Sequence, residues 1–326
     1  MKKILIVGGG GGIGRKHIDG FLRTEKFAVS ICEIDAAKCE ETKAKFKIEK
    51  AYADFYAAPL EEFDAVLIAT PANFHIPMAV HCARRSVTFL LEKPLSVSMD
   101  GVDNLIETVK KNSVRCAVAY TRRSIPSHLK IHQLIQSGFI GKLKMANFYV
   151  GQDYRKIRTD YKNIYFARRD MGGGVLLDFI SHCVDLAQWL LGKPGKGYAL
   201  CANLVFGDEI ETEDSALAIG RFGEGLACFY CNAFQKPNEV VFDFAGTAGN
   251  LKFVFVTRTL SKLYFSNDDS GHWEEIARFE NEGLNYYYYQ AENFYNFLIG
   301  RPSTFTTLEE AAENLRFVLG VREAAF

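Results

Sequence analysis

The sequence predicts two folded parts in series: an α/β domain on a parallel sheet over residues 1–120, then an α+β domain with a large, mainly antiparallel open sheet over residues 121–326. Three observations predict this. At 326 residues the chain exceeds one ordinary domain and suits two. Strand-like and helix-like segments alternate through the first 120 residues, the rhythm of a parallel sheet. Beyond Tyr120, long strand-like runs follow one another with few helices between them.

Taken in order, Ile4–Val7 is a short apolar run suited to a central strand, and glycines separate it from a helical stretch over Ile13–Leu22. Phe27–Cys32 reads as a strand and Ala36–Lys45 as a helix. Asp64–Ala69 ends in a continuous apolar run, as a strand buried on both faces requires. Phe74–Arg85 and Met99–Lys111 are helical, and Val87–Leu91 and Val114–Ala119 extended. In the second part the helical stretches are Ser127–Ser137 and Val175–Leu191. Its strands are Lys142–Gln152, Gly197–Phe206, Ser215–Phe222, Leu226–Phe234, Val240–Ala245, Leu251–Val256 and Thr259–Phe265. The end is helical over Tyr287–Ile299 and Leu308–Ala325, with Thr306 or Thr307 as a cap.

Lys+Arg and Asp+Glu both count 39, and no polybasic tract occurs. Nucleic acid and membrane surfaces need a concentrated basic face, so neither is an expected partner. No segment is expected to be long enough or apolar enough to span a bilayer. Of eight scattered cysteines, only Cys228 and Cys231 lie close, on a strand where residues three apart face opposite ways. They read as buried small hydrophobes, and unpaired thiols suit a reducing cytoplasm. In Leu226–Cys231 both alternating faces are apolar. One side of the sheet then needs a second cover, and a homodimer or homotetramer through this sheet is expected.

Gly9-x-Gly11-x-x-Gly14 follows a strand and opens a helix. One glycine allows the tight turn, one lets a pyrophosphate approach, and one lets helix and strand pack closely; the helix N-terminus supplies free N–H groups. Gly9, Gly11, Gly12, Ile13 and Gly14 are the expected phosphate-side residues of a Rossmann dinucleotide-binding domain. Glu33 stands 19 residues after Gly14, where a carboxylate accepts from ribose hydroxyls and repels a 2′-phosphate. NAD is therefore favoured over NADP, with Asp35 a second candidate for the same contact. Thr70, Pro71, Asn73 and His75 follow the apolar strand at the carboxyl end of the sheet, where nucleotides bind.

Glu92-Lys93-Pro94 ends the strand after that. A lysine beside a nicotinamide hydrogen-bonds a reacting hydroxyl and stabilises alkoxide charge, and Pro94 admits a cis bond. Asp178, His182 and Asp185 stand at i, i+4 and i+7 of a predicted helix, on one face. A histidine flanked by carboxylates suits acid–base work near neutral pH. The same stripe also fits a two-carboxylate metal site, but such sites usually need three or four ligands, so no metal is expected.

The order of these motifs (GxGxxG, ATPxxxH, EKP, then GGGxLLDxxxHxxD from Gly172 to Asp185) resembles the family of glucose–fructose oxidoreductases and inositol dehydrogenases, Gfo/Idh/MocA. The resemblance covers essentially the whole chain. It implies an NAD-dependent dehydrogenase acting on a sugar, cyclitol or sugar derivative, with Lys93, Asp178 and His182 catalytic. It further implies that Glu92 and Lys93 lie at the cofactor, and that Arg123, Tyr154, Arg155 and Tyr161 join Asp178 and His182 around the substrate. Rival readings are an NAD-assisted glycosidase and a non-catalytic nucleotide or sugar sensor. A short-chain dehydrogenase is disfavoured because no Tyr-x-x-x-Lys occurs.

Overall fold

The computed structural model describes residues 1–268 and 270–323. The chain forms two compact units, residues 1–124 with 285–312, and residues 125–284 with 313–326. The division differs from the sequence reading at the end of the chain, where residues 285–312 return to the first unit.

The first unit holds β1 (Lys2–Val7), α1 (Gly12–Arg23), β2 (Phe27–Cys32), α2 (Ala36–Phe46), β3 (Ala51–Tyr52), β4 (Ala65–Ile68), α3 (His75–Arg84), β5 (Phe89–Glu92), α4 (Val102–Lys111) and β6 (Cys116–Ala119). The strands lie in the order β3-β2-β1-β4-β5-β6, all parallel. Ile4, Leu5, Ile6 and Val66–Ile68 are fully enclosed, as a sheet covered on both faces demands. β3 is only two residues long and carried no alternation for sequence reading to find.

The second unit holds α5 (Pro126–Gln136), β7 (Leu143–Asp153), the one-turn α6 (Tyr154–Ile157), α7 (Ser181–Leu191), β8 (Pro194–Ala202), β9 (Ser215–Phe222), β10 (Gly225–Asn232), β11 (Phe234–Gly246), β12 (Asn250–Thr257), β13 (Leu260–Ser266) and β14 (Glu274–Glu280). Its eight strands run β14-β13-β12-β11-β7-β10-β9-β8. Only β7 and β10 pair in parallel; the other neighbours are antiparallel. The predicted strand Gly197–Phe206 stops at Ala202, because Asp214 takes the N–H groups of Leu204, Val205 and Phe206 into a loop. β14 escaped the sequence reading: its segment, Glu274-Glu-Ile-Ala-Arg-Phe-Glu280, is mostly charged and keeps no strict apolar–polar alternation.

Two helices close the chain. α8 (Tyr286–Leu298) packs on α1 in the first unit, where Gly20 has no room for a side chain beneath the Tyr287 carbonyl. α9 (Leu308–Glu323) begins at Thr307, whose Oγ1 accepts from the Glu310 N–H while Glu310 accepts from the Thr307 N–H, a reciprocal cap. Its predicted last residues, 324 and 325, lie outside the described residues.

One expectation needs correcting. The stretch Arg169–Leu191 is long and apolar enough, by length and composition, to cross a membrane. Its most apolar window is 78% buried inside the protein, which marks a core helix of this unit.

Candidate active site

In the first unit the candidate residues gather at the carboxyl ends of β1, β2, β4 and β5. Gly8 turns the chain with φ +77, and the Gly11 N–H donates to its carbonyl at 3.0 Å. A Cβ on Gly14 would collide with that same carbonyl, so α1 lies against the turn only because residue 14 is glycine. Gly11 and Gly12 are exposed and Ile13 half-buried.

Glu33 is held from both sides: its Oε2 accepts from the Gly10 N–H at 2.8 Å and its Oε1 from the Asp35 N–H at 3.1 Å. A Cβ on Gly10 would stand 2.8 Å from that same Oε2, so the extra glycine in the motif makes room for this carboxylate. Asp35 takes a different job. It caps α2, accepting from the Ala37 and Lys38 N–H groups. The Lys38 amide foremost holds its carboxyl below the usual range.

After β4, Pro71 and Asn73 are exposed and Thr70 half-buried. His75 is buried. Its Nδ1 lies 2.9 Å from the Pro94 carbonyl and its Nε2 2.9 Å from the Thr70 carbonyl. Burial pushes its pKa down, against the pull of the two carbonyls. Both neighbours are acceptors, so the neutral ring donates to one carbonyl at a time, and His75 lies between the loop after β4 and the one after β5. Arg123, named for the substrate, is buried in this unit and pairs with Glu310 at 3.0 Å, while its carbonyl accepts from Thr304.

At the end of β5 the Lys93–Pro94 bond is cis. Lys93 is half-buried, and its N–H donates to Glu92 Oε2 at 2.9 Å. The other Glu92 oxygen lies 2.5 Å from His17 Nε2. His17, on α1, is fully buried, and its Nδ1 has no hydrogen-bonding partner among the described residues. Sequence reading missed His17; its only signal is its place one turn past Gly14.

In the second unit, the glycine triplet Gly172–Gly174 works by close approach. A Cβ on Gly173 would strike the Tyr165 and Phe166 carbonyls, and one on Gly174, with φ +93, the Glu213 carboxylate. Glu213 is buried with Arg322 at 3.0 Å and accepts from the Leu176 N–H at 3.2 Å. The predicted single helix then starts as a π-turn, Leu176–Ile180, and continues as α7. Such turns concentrate at functional sites. Asp178 sits in the π-turn with its N–H on the Gly174 carbonyl at 3.0 Å. An α-turn takes 3.6 residues and a π-turn somewhat more, so His182 returns to about the direction of Asp178. His182 is half-buried, whereas Asp185 is fully enclosed on the core side.

Tyr154 is buried and donates to Asp178 Oδ2 at 3.1 Å; Tyr165 donates to Asp178 Oδ1 at 2.8 Å. Burial foremost, then the charge of Asp178, pushes both phenols up, well above the ordinary tyrosine value for Tyr165. Tyr154, named for the substrate, thus serves the carboxylate. Arg155 pairs with Glu209 at 2.8 Å over the Phe206 ring. Tyr161 also donates to Glu209. With Lys162 and Arg155 these contacts hold the Glu209 carboxyl down to about 2. Tyr165 lay outside the sequence reading, since nothing in the spacing links it to Asp178. Among the described residues no three His, Cys, Asp or Glu side chains are placed to hold a metal ion.

The glycine turn closed on Glu33 after β1 has the build of a dinucleotide-binding turn. The chain belongs to the GFO/IDH/MocA family: residues 2–120 match its oxidoreductase domain with NAD-binding Rossmann fold, and residues 128–252 its C-terminal domain. It is 27% identical over 221 residues to myo-inositol 2-dehydrogenase of Thermotoga maritima, covering 66% of this chain and 64% of that one. It is 29% identical over 224 residues to scyllo-inositol 2-dehydrogenase (NAD(+)) of Bacillus subtilis, covering 67% and 63%. The fold matches that of levoglucosan dehydrogenase in complex with NADH and levoglucosan, with a TM-score of 0.84 at 19% identity over 99% of this chain and 97% of that one.

Proposed function

We propose that this protein is an NAD-dependent dehydrogenase that moves a hydride between the nicotinamide and a hydroxyl carbon of a sugar, cyclitol or sugar derivative. The observation that carries the reading is the pairing, in one chain, of a dinucleotide turn built around Glu33 with an acid–base pair whose carboxylate is fixed by two phenols. The inositol and levoglucosan dehydrogenases among its relatives support a polyol substrate. The cofactor, when bound, supplies the redox chemistry. Gly9–Gly14, Thr70, Pro71 and Asn73 line it, Glu33 receives its ribose hydroxyls, and His75 holds the loops that carry these contacts. His182 takes the hydroxyl proton, Asp178 orients the imidazole, and Lys93 stabilises the developing alkoxide. Arg155 and Tyr161, set by Glu209, border the substrate.

A screen of polyols and sugars with NAD, followed by NADH absorbance, tests the reading. Lys93→Ala or His182→Ala is expected to lose turnover by about a hundredfold or more, the scale for an acid–base group, with NAD still bound. Unchanged turnover in both overturns the assignment, and tighter binding of NADPH than NADH overturns the role of Glu33.

The same reading extends to assembly and place. Strand register brings Leu200, Leu217 and Tyr230 into one row and Tyr198, Ile219 and Cys228 into the next. The large side chains of both rows are exposed. An apolar face of this kind suits a second copy of the chain, as a homodimer or homotetramer. Light scattering at micromolar concentration decides it, and a monomer refutes it. None of the eight cysteines is joined in a disulfide among the described residues, which fits the cytoplasm.

A further inference from the structure

We infer that Tyr154 and Tyr165 are positioning residues for the acid–base pair: their two phenols fix the Asp178 carboxylate and damp its pull on the proton of His182. The inference rests on the reading of Asp178 and His182 given above, and goes beyond it by adding two residues and a reason for them.

Three separate pieces of backbone converge on one carboxylate. Tyr154 opens the turn after β7, Tyr165 stands eleven residues further on in a 3-10 turn, and Asp178 rides the π-turn. Each is independently anchored. The Tyr154 N–H donates to the Ala233 carbonyl at 2.8 Å. The carbonyls of Tyr165 and Phe166 lie against Gly173, where no side chain fits. The π-turn is tied through Leu176 to buried Glu213. The phenols thus meet opposite oxygens of Asp178, at 3.1 Å and 2.8 Å, on a rigid frame.

The choice of phenols has a chemical consequence. A lysine or arginine bonded here would neutralise Asp178 and cancel its attraction for an imidazolium. A phenol O–H favours the carboxylate form without adding charge. Two of them withdraw part of the anion's charge and leave the rest to act on His182. Both phenols are pushed up by burial and by Asp178, so they remain donors throughout the working pH range. Arg158, paired with Asp160, acts on both phenols, and the Glu213–Arg322 pair holds the start of the π-turn.

The sign follows. Without the phenols the carboxylate bears more charge, and the Asp178–His182 pair binds its proton more tightly. The experiment is an NMR titration of the imidazole Cε1–H groups in the full chain with NAD bound, His182 being assigned by its loss in His182→Gln. In Tyr154→Phe or Tyr165→Phe the His182 midpoint is expected to rise by about one pH unit, and by more in the double variant. Uniform replacement of tyrosine by 3-fluorotyrosine keeps both hydroxyls but makes them stronger donors, and is expected to lower the midpoint. A midpoint that stays put in the folded phenylalanine variants and under fluorination overturns the inference, because a merely structural role leaves it unmoved. The function reading is judged apart from this. If Asp178→Asn and His182→Gln keep turnover on the polyols that the wild type oxidises, that reading fails, while the titration still decides the clamp.

Discussion

Glu92 and Asp178 are both buried carboxylates next to a candidate catalytic residue, and they are held by opposite chemistries. Glu92, in the first unit, lies against a histidine ring and one backbone N–H. Asp178, in the second, lies under two phenols. The first arrangement leans on a single side chain, itself fully enclosed on α1. The second divides the work between two donors from separate turns. A carboxylate with one major partner is vulnerable at that partner; one with two is graded.

The largest expected effect tests the first half of that contrast. His17→Ala strips Glu92 of a buried hydrogen bond and empties the space of a fully enclosed ring, and a loss of about 3–5 kcal/mol is expected in urea denaturation of the first unit. A loss below about 1 kcal/mol would show that Glu92 finds other support. Next, Tyr154→Phe or Tyr165→Phe should each cost about 1–3 kcal/mol, since one phenol remains on Asp178 in either case. Equal losses from His17→Ala and from a single phenol variant would erase the distinction between concentrated and divided support.

The third prediction sharpens the comparison through pH, with the smallest effect per unit. Burial holds His75 below the ordinary imidazole value. As pH falls below about 6.5 the unfolded chain takes up this proton first. Stability of the first unit is therefore complete above that pH and declines below it, by at most about 1.4 kcal/mol per pH unit. The phenols carry the opposite sign. Their raised pKa values mean that the unfolded chain loses protons first, so the second unit weakens as pH rises above about 10. Amide exchange, followed unit by unit, reads both trends; His75→Gln should flatten the acid slope and leave the alkaline one.

Much of the fold was legible because periodicity and glycine punctuation are local signals. Phe27–Cys32 and Ser215–Phe222 end where their patterns end. Glu33 was legible for a similar reason, standing at a set distance from a glycine turn. The helix around Asp178 was legible as a helix but not as a π-turn, whose first N–H, on Leu176, is taken by Glu213, 37 residues away. Asp35 shows the limit in another way: two acids stood close together, and only the geometry assigned one to the cap and the other to the turn.

By itself the sequence determined the order of elements, the dinucleotide turn and the family motifs in which Lys93, Asp178 and His182 stand. Those features rest on neighbours in the chain or on residue types at short spacing. Tertiary structure decided the partners. That His17 meets Glu92 across 75 positions, that Tyr154 and Tyr165 share Asp178, and that Arg123 and His75 turn inward are long-range events. Hydrogen bonds act over about 3 Å in space and carry no trace of separation along the chain, so only the packed fold can say which donor a buried carboxylate receives.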